Sequence, residues 1–336
     1  MKKFRWGLLG AGIILDRWMN GFRQAEDAEI AAIASRTLTS AQKMADKYAI
    51  PEAMTYDELL KRDDIDVMYI PVPHTLHKDL AIRAMEAGFH VLVEKPAAVC
   101  AADWDEMVTC ARQNQVFLME AVWTRFFPAI QKVLDVIHSG AIGDVRCVQS
   151  SFTFRIPDDY QGRLIDPMYA GGALLDVGCY NLHFAQMVYR RSPLRWASLA
   201  SMDTDDLHLQ VDEQAAYIGQ YENGALSLLY SAIRTETPDT AWVFGTEGQI
   251  EIPTFWKASG YRITRGTETE TISCPIPQKV SGVIDEGYQF EIRHVQDCIR
   301  AGLTESPLVP HSVTKEVLNQ CDTLRKQWGL KYPFER

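Results

Sequence analysis

The chain has 336 residues, carries 34 lysines and arginines against 44 aspartates and glutamates for a net charge of −10, and is 47% apolar. That length provides for two domains, each with a core of its own, and the composition excludes a mainly disordered chain. The acidic balance argues against a nucleic-acid partner, which needs clustered cations to displace counterions, and no apolar run approaches the roughly 20 residues of a membrane span.

The beginning, Met1-Lys2-Lys3 followed by an apolar stretch, imitates a short secretion signal. Three glycines interrupt that stretch and Asp16-Arg17 closes it, so a cytoplasmic protein is expected. Seven cysteines, Cys100, Cys110, Cys147, Cys179, Cys274, Cys298 and Cys321, are odd in number, scattered, and never form C-x-x-C. Buried free thiols are expected rather than a disulfide framework. His74 and His77 lack the glutamate and the helical i,i+4 spacing of a zinc hydrolase, so no metal is expected.

From Phe4 to Met119 strand-like and helix-like segments alternate. Strands are expected at Phe4–Leu9, Glu29–Ser35, Asp66–Pro71, His90–Glu94 and Val116–Met119, and helices at Ile13–Arg23, Leu38–Tyr48, Leu76–Ala87 and Ala101–Gln113. Strands that are apolar throughout are buried on both faces, as in a parallel sheet covered by helices; with strict alternation this predicts an α/β, doubly wound Rossmann domain.

Beyond residue 144 the pattern changes. Val145–Ile156, Arg195–Met202, Glu213–Tyr221, Ala225–Arg234, Thr240–Phe244, Gln249–Ile252, Tyr261–Thr264 and Thr269–Cys274 read as strands, with turns at Gly224, Gly248 and Gly266. Helices return at Ile284–Ala301 and behind Ser312, read as an N-cap. A C-terminal α+β domain with a large open, mostly antiparallel sheet is expected. The division is drawn as 1–122 and 123–336, with the final helix, 312–328, able to pack on the first domain.

Four segments carry chemistry. Gly10-Ala11-Gly12-Ile13-Ile14 follows the first strand and opens a helix: one glycine permits the tight turn, the next lets a pyrophosphate approach the helix N-terminus. Leu15 departs from the fingerprint, standing where Gly or Ala is usual. At the tip of the second strand, where an acid would bind the ribose hydroxyls of NAD, the sequence reads Ser35-Arg36-Thr37. Arg36 suits a 2′-phosphate, which favours NADP over NAD. Glu94-Lys95-Pro96 ends a buried strand, where doubly wound sheets hold ligands. Finally, Gly171-Gly172 opens a helix on which Asp176 and Tyr180 are spaced i,i+4, an acid beside a phenol in apolar surroundings, suited to proton transfer.

These segments, with Pro71-Val72-Pro73-His74-Thr75-Leu76-His77, together resemble the glucose–fructose oxidoreductase/inositol dehydrogenase (Gfo/Idh/MocA) family. Glu120 to Pro128 and the closing Tyr332-Pro333-Phe334-Glu335 resemble its dihydrodiol and xylose dehydrogenase branch. His74 stands where the family more often has Asn, and Tyr180 where many members have His. The resemblance implies that Lys95 meets the Asp176/Tyr180 helix at a nicotinamide, and that the second domain serves dimerisation. It assigns Pro71, Val72, Pro73, His77, Glu94 and Lys95 to the cofactor, joined by Trp123 and Arg125. Trp123, Phe154, Arg163, Lys95, Asp176 and Tyr180 are then expected at the substrate, Phe154 being equally readable as core.

The implied activity is reversible hydride transfer between NADP and a sugar, cyclic polyol or trans-dihydrodiol, with Tyr180 as acid/base, Lys95 as the neighbouring cation and Asp176 as orienter. The rivals are an NAD-dependent inositol or sugar dehydrogenase of the same fold, an oxidoreductase that cycles two sugars without releasing its cofactor, and a redox-silent NADP-binding regulatory protein.

Overall fold

The computed structural model describes residues 3–202 and 210–335. The first half follows the expected alternation: β1 Phe4–Leu9, α1 Leu15–Gln24, β2 Ala28–Ala34, α2 Leu38–Tyr48, β3 Ala53–Met54, α3 Tyr56–Leu59, β4 Val67–Ile70, α4 His77–Glu86, β5 His90–Glu94, α5 Ala101–Asn114 and β6 Leu118–Ala121. The six strands form one parallel sheet in the order β3-β2-β1-β4-β5-β6, a doubly wound arrangement. The order reverses beside β1, which puts the β1–α1 turn at the place where such sheets hold ligands. Under that turn lies an aromatic cluster. Trp18 of α1 stacks on Tyr69 of β4 with ring centroids 4.2 Å apart, and Trp6 and Phe22 close around them.

The later elements are α6 Pro128–His138, β7 Val145–Thr153, α7 Cys179–Tyr189, β8 Arg195–Met202, β9 Asp212–Gln220, β10 Leu226–Ala232, β11 Ala241–Gly245, β12 Gln249–Ile252, β13 Gly260–Arg265, β14 Glu268–Ser273, α8 Tyr288–Arg300 and α9 His311–Trp328. The eight strands form a second sheet ordered β14-β13-β12-β11-β7-β10-β9-β8, antiparallel throughout except for the parallel pair β7–β10. One face packs under α7; the other exposes Leu199, Ile218 and Leu228, of which Ile218 and Leu228 sit directly opposite each other.

The chain divides into two compact units, Met1–Trp123 with Ile276–Lys315, and Thr124–Pro275 with Glu316–Arg336. The first break falls one residue from the expected 122/123, but residues 276–315 return to the first unit. The cause is local packing: α8 lies so close to α1 that a Cβ on Gly21 would stand 2.4 Å from Tyr288 Cβ. The Leu118 N–H donates to Thr304 O at 3.1 Å, the Trp104 indole to His311 O at 2.9 Å, and the Thr314 hydroxyl to Glu120 at 2.8 Å. Only the start of α9 therefore belongs to the first unit; from Glu316 onward it belongs to the second. Ser312 lies inside α9 and does not cap it. All seven cysteines are free, but Cys100 and Cys147 are partly exposed, Cys100 just ahead of α5 and Cys147 on the half-covered start of β7.

A Cβ on Gly12 would stand 2.3 Å from the Pro71 carbonyl oxygen, which backbone cannot give up cheaply. Gly12→Ala is therefore expected to destabilise the protein by roughly 1–3 kcal/mol, read from the midpoint of chemical denaturation. An unchanged midpoint would show that the turn has room.

Candidate active site

In the first unit the glycine turn is set by strand sterics. Gly10 adopts φ +140°, and a Cβ there would stand 2.6 Å from Val72. Gly12 touches Pro71, so both glycines face the end of β4. Helix α1 begins at Leu15, later than expected, because residues 13 and 14 still belong to the turn. Leu15 is fully buried and fills the position where the fingerprint has a small residue. Ile13 is 90% exposed, an apolar side chain left at the mouth of the turn. A narrow cradle that a Cβ would fill, at the sheet's reversal point, fits a dinucleotide pyrophosphate.

The tip of β2 divides its three residues. Thr37 caps α2, accepting the Ser40 N–H and donating to the Ser40 hydroxyl at 2.8 Å, so helix formation uses that hydroxyl. Ser35 is buried and faces the Tyr56 phenol, whose titration burial pushes upward against hydrogen bonds from Arg36 and Ser35. Arg36 is exposed at the tip.

Around the end of β5 a buried set of polar groups fixes the backbone. The Glu94 carboxylate accepts the Tyr69 hydroxyl at 2.5 Å and the Lys95 N–H at 3.1 Å. His77 is fully buried, with Nδ1 2.8 Å from Pro96 O and Nε2 2.8 Å from Val72 O. Burial pushes its imidazole down to about 4 against these two carbonyls, which favour the charged ring; the neutral ring has one N–H and donates to one of them while lying between the β4 and β5 ends. The Ala97 N–H donates to Glu120 at 3.0 Å, closing the turn after Pro96. Glu291 of α8 lies fully buried behind this set, its carboxyl pushed well up by burial and by Glu94 and Asp285. Trp123, expected at the ligand, is buried and stacked on Tyr288 with centroids 4.1 Å apart.

In the second unit the Gly171-Gly172 turn opens a helix of mixed pitch. Leu174–Gly178 is a π-helical turn and regular α-helix begins only at Cys179, which corrects the expectation of one continuous α-helix. Asp176 and Tyr180 flank the change of pitch and are both buried. Asp176 Oδ1 accepts from Arg163 Nη2 at 2.9 Å, and Tyr180 packs edge-on to Phe152 at 5.2 Å. Arg163, expected to touch substrate, is thus an ion-pair partner of the expected orienter. Phe154 lies just past the end of β7 and is half-buried. Arg125 is buried, with Nη2 donating to Gln186 Oε1 at 2.7 Å and Nε 3.3 Å from His183 Nδ1. Its guanidinium is held by α7.

The sequence reading missed Asp212, a fully buried acid whose Oδ2 accepts the Leu174 N–H at 2.6 Å. It sits beside Gly172, φ +112°, where a Cβ would stand 2.1 Å from Oδ1. Only the glycine pair hinted at it, because the partner lies 38 residues away. Burial pushes its carboxyl up to about 7, against the backbone N–H groups and Arg325 that favour the anion. Tyr69, an interior group with no local motif, was also missed, and Glu120 was read only as the start of the Glu120–Pro128 segment with no role of its own.

Two family models match the chain: an oxidoreductase family with an NAD-binding Rossmann fold over residues 4–122, and the GFO/IDH/MocA C-terminal domain over 130–251. The mouse trans-1,2-dihydrobenzene-1,2-diol dehydrogenase is 33% identical over 336 residues, covering 99% of both chains; the human protein of that name is 31% identical, again over 99% of each. Among solved structures, the aldose-aldose oxidoreductase of Caulobacter crescentus superposes with a TM-score of 0.84 at 25% identity, over 96% of this chain and 97% of its own. The 3-ketoreductase KijD10 of Actinomadura kijaniata shares the fold with a TM-score of 0.84 at 23% identity, over 96% of this chain and 97% of its own.

Asp212 supplies a pH test. Its carboxyl titrates near 7 in the folded chain and near 3.8 when unfolded, so its contribution to stability is intact below pH 4 and is lost as pH rises to 7. Relative to wild type, Asp212→Asn should gain about 4 kcal/mol of unfolding free energy between pH 4 and pH 8. Parallel stability curves for the two proteins would refute the raised titration.

Proposed function

The chain belongs to the Gfo/Idh/MocA family of oxidoreductases, and from that premise we propose that it is an NADP-dependent dehydrogenase of sugars, cyclic polyols or trans-dihydrodiols. The observation that carries this reading is a buried phenol and carboxylate, Tyr180 and Asp176, at a glycine-opened helix start in a chain that also carries Lys95 directly after a buried strand of the Rossmann domain. Full-length similarity to dihydrodiol dehydrogenases supports a diol or related carbinol as substrate.

A bound nicotinamide would supply the hydride acceptor for the carbinol carbon and, in reverse, the hydride. As that carbon is oxidised its hydroxyl must lose a proton, and Tyr180 accepts it. Phenols ordinarily titrate near ~10, so a phenolate at neutral pH needs a cation beside it. Lys95 supplies that charge and hydrogen-bonds the reacting oxygen. Asp176, held by Arg163, orients the substrate hydroxyls. In the reverse direction Tyr180 returns the proton to the alkoxide.

The Gly10–Gly12 turn and the N-terminus of α1, with Ile13 and Ile14, would hold the cofactor's pyrophosphate. Pro71, Val72 and Pro73 line the same end of the sheet, where His77 fixes their backbone. NADP rather than NAD is favoured by the exposed guanidinium of Arg36 at the β2 tip, where the segment Ser35-Arg36-Thr37 contains no carboxylate. Ser35 and Thr37 shape that tip, each through a contact of its own. The exposed Leu199, Ile218 and Leu228 on the open face of the large sheet support a homodimer, because a contiguous apolar face wants cover.

Lys95→Met is expected to lower turnover by about two to three orders of magnitude on the best substrate from a panel of aldoses, inositols and dihydrodiols, followed by NADPH absorbance, while NADP affinity survives. Near-normal turnover would remove Lys95 from the chemistry. Arg36→Ala should cost roughly tenfold or more in NADP affinity and leave NAD affinity unchanged. An equal loss for both cofactors would overturn the NADP assignment.

A further inference from the structure

The closing Tyr332-Pro333-Phe334-Glu335 has no part in the reading above, yet it reaches the helix on which that reading depends. We propose that Tyr332 and Asp212 are positioning residues that together set the phase of the helix carrying Asp176 and Tyr180. The inference rests on the acid/base role proposed for those two side chains.

Tyr332 is buried, and its hydroxyl donates to the Gly171 carbonyl oxygen at 2.8 Å. The tail that delivers it is closed on itself. Arg325 of α9 lies 4.9 Å over the Tyr332 ring, holds both Glu335 carboxylate oxygens at 2.9 Å, and reaches Asp322 at 2.9 Å. Glu335 in turn accepts the Tyr332 N–H at 2.8 Å. Phenol and tail therefore move as one piece.

Asp212 holds the same turn from β9. Oδ2 accepts the Leu174 N–H, and Oδ1 occupies the space that a side chain on residue 172 would need. A third set of bonds comes from the preceding loop: the Gly172 N–H donates to Leu164 O at 2.8 Å and the Gly171 N–H to Asp166 O at 3.1 Å. The helix then starts from this pinned point, because the Asp176 N–H donates to Gly172 O at 3.3 Å. A π-helical turn follows at once, so a slip at the turn propagates directly into the positions of Asp176 and Tyr180. Proton transfer is steeply sensitive to such a displacement, since donor and acceptor must meet within hydrogen-bond distance.

The test uses full-length Tyr332→Phe, which keeps the ring and removes the one hydroxyl, with Glu335→Gln as a second variant that loosens the tail and leaves the phenol in place. Amide hydrogen exchange over residues 173–180 should accelerate about tenfold in Tyr332→Phe, with β7, β10 and β11 unchanged. Turnover should fall about tenfold, with KM and NADP affinity held within about twofold, and the pH of half-maximal alcohol oxidation should move upward. Glu335→Gln should shift the same quantities in the same direction by less. Wild-type exchange over 173–180, or unchanged turnover beside an active wild type, would overturn the proposal. Acceleration spread evenly over the second unit would overturn it too, by making Tyr332 a general stabiliser. A wild type inactive across the whole panel would instead sink the proposed function, and the exchange data would still decide whether Tyr332 holds the helix.

Discussion

The close approach of Gly12 to the Pro71 carbonyl governs the first unit. It fixes the β1–α1 turn against the end of β4, and the same β4 end runs on into Val72, whose carbonyl meets His77. The other side of that imidazole meets Pro96, immediately after Lys95. A single chain of contacts thus runs from the glycine turn to the lysine, its links made by backbone and by the buried His77 side chain. Below it, the stack of Trp18 on Tyr69 and the Tyr69 bond to Glu94 tie the same lysine turn to the hydrophobic core. The contacts that stabilise the first unit therefore also fix the backbone on either side of Lys95.

The second unit solves the equivalent problem with less backbone contact and more polar anchoring. Its helix start is held by a carboxylate from β9, a phenol from the tail and carbonyls from the preceding loop. Arg125, which the sequence offers as a ligand cation, is spent on Gln186 and His183 within the same unit and steadies α7.

What could be read from residues alone follows from the range of the forces involved. The β/α alternation is written in apolar runs such as Val67–Ile70 and His90–Glu94, whose burial depends only on their own composition. Helix α6 was not among the expected elements, although Pro128 at its first turn and the spacing of Ile130, Val133 and Ile137 mark it; it follows directly on the Glu120–Pro128 segment, which was read only as a motif. The strand β3 has two residues and carries no periodicity at all. The parallel pairing of β7 with β10 depends on which strands meet across some eighty residues, and no local pattern records it. The same limit hid Asp212 and the contact of Tyr332 with Gly171, since a cap or an anchor drawn from a distant segment leaves no trace beside the group it serves. The Gly10–Gly12 turn was visible because its constraint is steric and local.

The return of residues 276–315 to the first unit has a consequence for the order of synthesis. A ribosome emits the whole parallel sheet, then some 150 residues of another unit, before α8 exists to cover α1. Until then the helix face around Gly21 stays open to water, and the nucleotide-binding half remains an unfinished body on the nascent chain. Its completion waits on a segment more than 150 residues further along the chain. A fragment cut at the first break would carry Gly10, Gly12 and Lys95 and lack the helix that packs on α1.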